Sequence, residues 1–274
     1  MLKVSNSSNA QKVPNQRDPI QQVGQVFALA SAFVCLAPIL LLLAVATTSV
    51  WQQGWWSGGF TLKWLQGGWE TLRPYLGFSL KLALQVVLID IFVGFPVAWV
   101  LSRCEFKGRQ ILLSLTMLPI AIPGIAIALA LILAYPTWKS SGWLLVGGHI
   151  LYTLPFLIGA LVPALSRPQL TELESVAATL GASRLRQILF VTLPQVRGAL
   201  LAATIMVITL SMGEFNISFF LFTPLDKTLP VELYASYITG RLEVAAANTV
   251  WFLIFVIPAS IGIESLGGAS VGQA

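Results

Sequence analysis

Long apolar runs alternate along this chain with short polar gaps, and six of the runs are long enough to cross a membrane. A hydrocarbon core about 30 Å thick needs roughly 20 apolar residues in a helix. Backbone groups inside lipid must be paired within their own segment, so each run should be helical rather than extended. The pattern predicts an all-α integral membrane protein with six transmembrane helices, at residues 26–50, 76–101, 111–135, 144–165, 197–222 and 243–266.

The polar ends of the chain fall outside this six-helix domain. Residues 1–25 form the predicted N-terminal tail, residues 26–266 the transmembrane domain, and residues 267–274 the C-terminal tail. The first run is longer than the apolar core of a signal peptide, which favours an uncleaved first span. The triplet Ala44-Val45-Ala46 leaves cleavage open as the alternative.

Composition agrees with a membrane protein and excludes other classes. Hydrophobic residues make up 56% of the chain and charged residues only 10%, against about 25% charged in soluble domains. The net charge of +5 is modest, and the basic residues lie in short polar gaps rather than in a patch with interleaved aromatic residues, so no nucleic-acid partner is expected. The two cysteines and the single histidine, His149, lack the spacing of metal ligands, so no metal site is expected.

Basic residues are divided unequally between alternate gaps. If the N-terminus is cytoplasmic, ten lysines and arginines lie inside and six lie outside. This moderate bias follows the positive-inside rule and predicts that both termini face the cytoplasm. The inside set is Lys3, Lys12, Arg17, Arg103, Lys107, Arg109, Arg167, Arg184, Arg186 and Arg197.

Prolines interrupt the third predicted span, where MLPIAIPGIAIALA contains Pro119 and Pro123 followed by Gly124 and several alanines. A proline in a transmembrane helix frees a carbonyl that neighbours or water must satisfy, while small residues let helices approach closely. The run predicts a kinked and closely packed helix. The kink can lie beside a pathway through the bundle or serve packing alone.

One amphipathic segment separates the fourth and fifth predicted spans. Thr171 and Glu174 fit a capping box, which predicts that a helix starts at Thr171. Gly181 interrupts the apolar pattern, a second amphipathic turn follows, and Pro194 is predicted to end that turn. The apolar positions are Leu170, Leu173, Val176, Ala177 and Leu180 before the glycine, and Leu185, Ile188, Leu189 and Leu193 after it. Such a helix pair can rest on membrane lipid headgroups or dock in a groove of a partner protein.

The same segment resembles the signature loop of permease subunits of bacterial binding-protein-dependent ABC importers. That loop has Glu-Ala-Ala, three residues, a glycine, and later a hydrophobic residue and Leu-Pro; here Gly181, Ile188, Leu193 and Pro194 keep the spacing. The Glu-Ala-Ala positions are occupied by 175–177, Ser-Val-Ala, with the acid one residue earlier at Glu174. By this resemblance, the coupling loop is 166–196, and its ATPase-coupling residues are Glu174, Ala177, Ala178, Gly181, Ala182, Arg184 and Leu185.

Further landmarks of that family occur in the expected order over about residues 60–250. They are FTLKW at 60–64, LPIAIPG at 118–124, His149 with LPF at 154–156, GEFN at 213–216 and TLPVELY at 228–234. The resemblance implies a type I ABC importer permease fold with a cytoplasmic coupling helix between helices 4 and 5. It also implies a bacterial inner-membrane location and three kinds of partner: ATPase subunits, a second permease, homologous or identical, and an extracytoplasmic substrate-binding protein.

ATP would be bound by the partner, because the chain has no Gly-Lys pair and therefore no phosphate-binding P-loop motif. The chain is accordingly expected to be a transport subunit that binds no cofactor, and not an enzyme. The stretch TLPVELYASYITGRLEVAAANTVW most resembles permeases for polyamines and for aminoalkylphosphonates such as 2-aminoethylphosphonate. Ferric-iron, thiamine and sulfate permeases are the alternative relatives.

Polar residues inside the predicted spans are candidate functional residues, because an unpaired charge in lipid is costly. Ser211, Glu214 and Ser218 share one face of a continuous helix, and with Asn216 they are candidates for a pathway or gate. A structural hydrogen bond between helices is the alternative for Glu214. Asp90 is expected to have a structural partner, and His149 to make a hydrogen bond between helices.

A secondary, ion-coupled transporter is the alternative function. Such transporters commonly place charges near the membrane midplane and show internal repeats. This chain has two isolated acids in its spans and no visible repeat, which favours the ATP-driven class.

Overall fold

The computed structural model describes the backbone of residues 19–271 and the side chains of residues 22–258 and 261–262. Three of the ten predicted inside charges, Lys3, Lys12 and Arg17, lie outside this range. Over the described residues the chain is helical without strands, with an isolated bridge between Thr48 and Phe60. The α-helices are α1 (Pro19–Ala46), α2 (Lys63–Arg103), α3 (Arg109–Ala121), α4 (Gly124–Ala134), α5 (Trp143–Leu165), α6 (Pro168–Thr179), α7 (Arg184–Gln187), α8 (Leu193–Gly213), α9 (Asn216–Leu221), α10 (Leu229–Thr239) and α11 (Leu242–Val271).

The chain divides into two compact units at residue 42. The first unit contains most of α1, an apolar helix of 28 residues with Pro38 inside it. The second unit, residues 43–274, contains the other helices of the described range. The sites described below lie within this second unit.

The predicted membrane-protein class is confirmed by the lengths and composition of the helices. Among the described residues, four helical segments are long and apolar enough to cross a membrane: Gln22–Ala46, Lys63–Arg103, Trp143–Leu165 and Arg184–Gly213. A bent pair, α3 with α4, makes a fifth if it is one span. The sixth predicted span corresponds to α11, whose apolar part Leu242–Pro258 is shorter than these.

The second span is much longer than its sequence pattern indicates. Helix α2 has 41 residues and is therefore about 60 Å long, twice the thickness of a hydrocarbon core. Residues 63–75, which the sequence places in a polar gap, continue the same helix, with Pro74 inside it. At this end two cations lie over the Trp64 ring, the Lys63 Nζ at 4.3 Å and the Arg241 Cζ at 4.9 Å from its centroid.

The predicted kink in the third span is a complete break. Helix α3 ends at Ala121 and α4 starts at Gly124, with a bend of 102° between them. Ile122 is extended, with φ −93° and ψ 127°, because the ring of the following Pro123 disfavours a helical conformation at the residue before it.

The core of the second unit is built around α5, which packs against α2, α3, α8 and α9. Glycines allow the closest approaches in this core. A β-carbon on Gly94 of α2 would lie 2.6 Å from Leu157 Cδ2, and one on Gly148 of α5 would lie 2.6 Å from Ile217 Cγ2. A contact below 3 Å forces a neighbouring side chain to shift, so glycine is favoured at both positions, as at other close helix contacts.

Candidate functional site

The segment between the fourth and fifth predicted spans forms a hairpin, defined here as residues 166–196. Its first arm is α6, which starts at Pro168 and not at Thr171. Proline is favoured in the first helical turn because its missing N–H has no partner there in any case. The predicted capping box is therefore wrong: the Thr171 hydroxyl contacts the Arg167 carbonyl at 3.4 Å, and the Glu174 side chain points into the protein.

Gly181 forms the turn of the hairpin. Its φ is +82°, in the left-handed region. The Gly181 N–H donates to the Ala178 carbonyl and the Ala182 N–H to the Ala177 carbonyl, both at 3.0 Å, which is the Schellman pattern of helix ends. No heavy atom lies within 4 Å of a β-carbon built on Gly181. Glycine is therefore required at position 181 by the backbone conformation and not by crowding.

The second arm runs without interruption into the next span. Helix α7 continues through a π-helical turn, Ile188–Thr192, into α8. The prediction that Pro194 ends a helix is therefore wrong. Proline cannot donate to the carbonyl four residues earlier and its ring crowds that carbonyl, and the wider π turn just before Pro194 accommodates both effects.

Glu174 joins the hairpin to the ends of two long helices. Its carboxylate accepts hydrogen bonds from Arg103 Nε at 2.8 Å, from Arg103 Nη2 at 3.0 Å and from the Thr192 hydroxyl at 2.6 Å. Arg103 is the last residue of α2, and its Nη1 also donates to the carbonyl of Leu165, the last residue of α5. Glu174 is 7% exposed, so this bidentate ion pair is shielded from water.

The environment of Glu174 keeps it ionised. Burial alone would raise the pKa of its carboxyl, but hydrogen bonds from Arg103 and Thr192 and the positive charges of Arg103 and Arg184 together hold that pKa below its ordinary value. A buried carboxylate is stable only with such partners.

The outer surface of the hairpin is apolar and uncovered. Leu180 is 83% exposed and Leu185 65% exposed, and both lie beside the Gly181 turn. Of the seven predicted coupling residues, the structure buries Glu174, leaves Ala177 and Ala182 half-buried, and exposes the other four. We define the hairpin face as its exposed apolar residues Leu173, Val176, Leu180, Leu185, Leu189 and Phe190.

A second polar cluster lies inside the bundle, around His149 of α5. His149 Nδ1 is 2.8 Å from the Ser211 hydroxyl and Nε2 is 2.9 Å from the Ser218 hydroxyl. All three residues are buried. The prediction that His149 bonds between helices is confirmed, because Ser211 belongs to α8 and Ser218 to α9.

Glu214 occupies the break between α8 and α9. It is extended, with φ −73° and ψ 119°, and its carboxylate accepts the N–H groups of Ile217 at 2.8 Å and Ser218 at 2.9 Å. The expectation of one continuous helix over this region is therefore wrong. Ser211, Glu214 and Ser218 still come together, but across a break and buried, while Asn216 is exposed.

Asp90 has the structural partner expected of it. The Thr153 hydroxyl lies 2.6 Å from Asp90 Oδ2, which links α2 to α5. Within the described residues no group of three or more His, Cys, Asp and Glu side chains is arranged to hold a metal ion.

Sequence reasoning missed two partners of Glu174, namely Arg103 and Thr192. One signal was available: Glu174 follows Leu170 by four residues and so lies on the same side of a helix. Leu170 and Glu174 are the buried residues of α6. The sequence pattern identifies Arg103 only as a cytoplasmic charge at the end of a span.

These features define an all-helical membrane protein with a hairpin anchored between span ends, and comparisons identify the class. A putative 2-aminoethylphosphonate transport system permease protein of Salmonella typhimurium is 26% identical over 266 residues, covering 92% of this chain and 96% of the relative. A probable molybdenum ABC transporter permease protein of Haloferax volcanii is 27% identical over 201 residues, covering 69% and 73%. A sulfate transport system permease protein of Escherichia coli is 31% identical over 152 residues, covering 50% and 52%. No family model matches the sequence.

Solved structures show the same fold. A chain of a bacterial ABC transporter involved in the import of the acidic polysaccharide alginate aligns with a TM-score of 0.70 at 15% identity, covering 90% of this chain and 95% of that chain. A chain of a methionine ABC transporter in an inward-facing conformation aligns with a TM-score of 0.58 at 17% identity, covering 72% and 95%. The homologues of this protein are ABC transporter permeases, which are transport subunits and not enzymes. Its fold is that of ABC importer permeases.

Proposed function

We propose that this chain is the transmembrane permease subunit of an ATP-driven importer in a bacterial inner membrane. The observation that carries the proposal is the exposed apolar hairpin face, held by Glu174 against the ends of α2 and α5. An exposed apolar face on a fixed element is typical of a docking surface for a partner. The partner is a cytoplasmic ATPase subunit that binds the ATP. The hairpin is the coupling helix between the fourth and fifth spans.

The proposal places both termini in the cytoplasm and assigns six spans, with α11 as the sixth. Seven of the ten predicted inside charges are within the described range. Arg103, Arg184 and Arg186 among them lie in or beside the hairpin, which agrees with a cytoplasmic position for it. The chain forms half of the translocation pathway, and a second permease, identical or homologous, forms the other half. A substrate-binding protein outside the membrane delivers the substrate.

In this scheme the Glu214 region acts at the pathway. Ser211, Glu214 and Ser218 hold the break between α8 and α9 through buried hydrogen bonds. Asn216 is the exposed residue of the four, and we assign it the contact with passing substrate. Glu214 thus shapes the gate from within the bundle.

The substrate we propose is a small polar solute such as a polyamine or 2-aminoethylphosphonate. The relative named for 2-aminoethylphosphonate transport aligns along 96% of its length, which supports 2-aminoethylphosphonate over a polyamine. Sulfate is the principal alternative, because a sulfate permease is also among the relatives; ferric iron and thiamine are the others.

The proposal is tested by placing a charge on the hairpin face. Leu180→Glu and Leu185→Glu should each prevent co-purification of the ATPase from detergent-solubilised membranes while the chain still inserts. Leu225→Glu is the matched control, because Leu225 is also an exposed leucine and its neighbour Asp226 packs at Gly142, just before the opposite end of α5. ATPase binding that survives both hairpin substitutions would contradict the docking role.

Uptake by proteoliposomes separates the two function classes. Accumulation of radiolabelled 2-aminoethylphosphonate should require ATP and the binding protein, with excess unlabelled spermidine and sulfate as competitors. Uptake driven by an ion gradient without ATP would instead identify a secondary transporter.

A further inference from the structure

We infer that the buried pair Arg103–Glu174 is a positioning pair that transmits movement of the hairpin into the transmembrane bundle. This inference rests on the proposed function, since it concerns how a docked hairpin acts on the helices behind it. It assigns a specific mechanical connection between named atoms, and the pair touches neither ATP nor substrate.

Helix α6 has little else that attaches it to the bundle. Of its 12 residues, Leu170 and Glu174 are buried. Three other side chains of α6 form hydrogen bonds to carbonyls in or just before the same helix: Thr171 to Arg167, Ser175 to Glu172 and Thr179 to Val176. The directional contacts of α6 side chains to other elements therefore converge on the Glu174 carboxylate.

The geometry of Arg103 joins three helices at one point. Two of its nitrogens face the two carboxylate oxygens of Glu174, and the third donates to the last carbonyl of α5. A planar guanidinium fixes all three directions at once, which a lysine ammonium cannot do. A displacement of α6 is thereby passed to the ends of α2 and α5 together.

Thr192 connects the same carboxylate to the second arm. Its hydroxyl donates to Glu174 Oε1 at 2.6 Å, and it is the last residue of the π turn that leads into α8. Both arms of the hairpin therefore meet at Glu174. The hairpin moves as one piece with respect to this carboxylate, and α8 receives the movement directly.

A pair that only stabilised the fold would behave differently from a pair that transmits movement. Loss of a purely structural pair lowers the amount of assembled transporter and leaves the response of each assembled molecule unchanged. Loss of a transmitting pair leaves ATP hydrolysis in place and removes the conformational response at the far end of the bundle. The ratio of response to hydrolysis separates the two roles.

The experiment measures that ratio in the complete complex of permease and ATPase subunits. Cys35 and Cys104 are replaced by serine, and Gly213→Cys is added as a reporter, because Gly213 is exposed at the end of α8 and no atom lies within 4 Å of its β-carbon position. Maleimide labelling of the reporter is followed before and after trapping with ATP and orthovanadate. In the otherwise unchanged chain, trapping should alter the labelling rate on the order of tenfold, a typical coupling between sites.

Glu174→Gln and Arg103→Lys should keep ATPase activity and subunit stoichiometry and lose most of the labelling change. Thr192→Val, which keeps the ion pair, should lose part of it. Glu172→Gln is the matched control, an exposed acid on the same helix, and should respond fully. A full response in assembled Glu174→Gln complexes would overturn the inference, and so would failure of both pair variants to assemble, since that assigns the pair to folding alone.

Failure of the proposed function gives a different result. In that case the chain with an unsubstituted hairpin would not associate with the ATPase, and trapping with vanadate would not change the labelling of the reporter. The inference fails alone when the parent complex responds and Glu174→Gln responds equally.

Discussion

The carboxylate of Glu214 lies 3.5 Å from the position that a β-carbon would occupy on Gly124. Gly124 is the first residue of α4, after the break that follows α3, and Glu214 is the break between α8 and α9. The break between α3 and α4 therefore lies beside the break between α8 and α9. A carboxylate near helix N-termini is electrostatically favourable, because unpaired N–H groups point toward it.

Enlarging Gly124 should separate the two breaks. A β-carbon there would lie 3.1 Å from Asn216 Cβ and 3.3 Å from Ile217 Cγ1, closer than ordinary contacts. We expect Gly124→Val to destabilise the protein by about 1–3 kcal/mol through overpacking, measured by thermal unfolding in detergent. Gly147→Ala is the control, since no atom lies within 4 Å of its β-carbon position. Equal stability of the Gly124 variant and the control would refute the tight contact.

The His149 cluster should show strong coupling between its members. His149→Leu leaves the buried hydroxyl of Ser211 without its partner, at a cost of about 1–3 kcal/mol. Adding Ser211→Ala should then cost less than Ser211→Ala does alone, because the orphaned hydroxyl is removed. Ser102→Ala serves as the additive comparison, since its hydroxyl bonds locally to the Trp99 carbonyl. Simple additivity of the His149 and Ser211 effects would show that the ring does not serve that hydroxyl.

The Gly181 turn should tolerate asparagine better than valine. At a φ of +82° a β-branched residue is strained by about 1–3 kcal/mol, whereas asparagine adopts the left-handed region more readily. Limited proteolysis of the hairpin and ATPase co-purification should therefore be disturbed by Gly181→Val and little by Gly181→Asn. The space around the turn is open, so identical behaviour of the two variants would mean that the turn rearranges freely.

The stabilisation from Glu174 should depend on pH in one direction. Its pKa is lowered in the folded protein, so its contribution is complete above the ordinary value of 4.5. The contribution is lost as the pH falls from that value through the lowered pKa. The difference in melting temperature between the unsubstituted chain and Glu174→Gln should be constant from pH 7 to pH 5, as linkage requires for a depressed carboxyl pKa. Below about pH 4.5 it should shrink, and a difference that grew on acidification would contradict the ion pair.

The sequence predicts the spans well where apolar length alone decides. Helix α5 matches its predicted span within one residue at its start, because a long apolar run in lipid can only be a helix. The start of α2 was missed by 13 residues, from 76 to Lys63. Gly67, Gly68 and Pro74 are typical of a gap, whereas α11 packs against the helix there and its Trp251 Nε1–H donates to the Leu65 carbonyl.

The hairpin shows what a local pattern cannot decide. Thr171 and Glu174 have the spacing of a capping box, but Pro168 starts the helix one turn earlier. Whether a carboxylate caps its own helix or enters the protein depends on a distant cation, here Arg103, 71 positions away. Gly181 was predictable, because its role depends on the local backbone alone.

The break at Glu214 was also beyond the sequence pattern. The apolar run 197–222 contains no proline, so a continuous helix is the natural prediction. The Glu214 carboxylate accepts the N–H groups of Ile217 and Ser218 in place of backbone carbonyls. Because these N–H groups are paired, the break is stable in a nonpolar setting.

The length of α2 has a consequence for how the two membrane surfaces communicate. The helix runs without a break from Lys63 to Arg103, with the Arg241 guanidinium over the Trp64 ring at one end and Arg103 held by Glu174 at the other. One covalent element thus has a charged anchorage at each of its termini, and no loop intervenes between them. In the proposed importer, tilting this helix about its middle would move the two anchorages in opposite directions and so tie opening on one side to closing on the other.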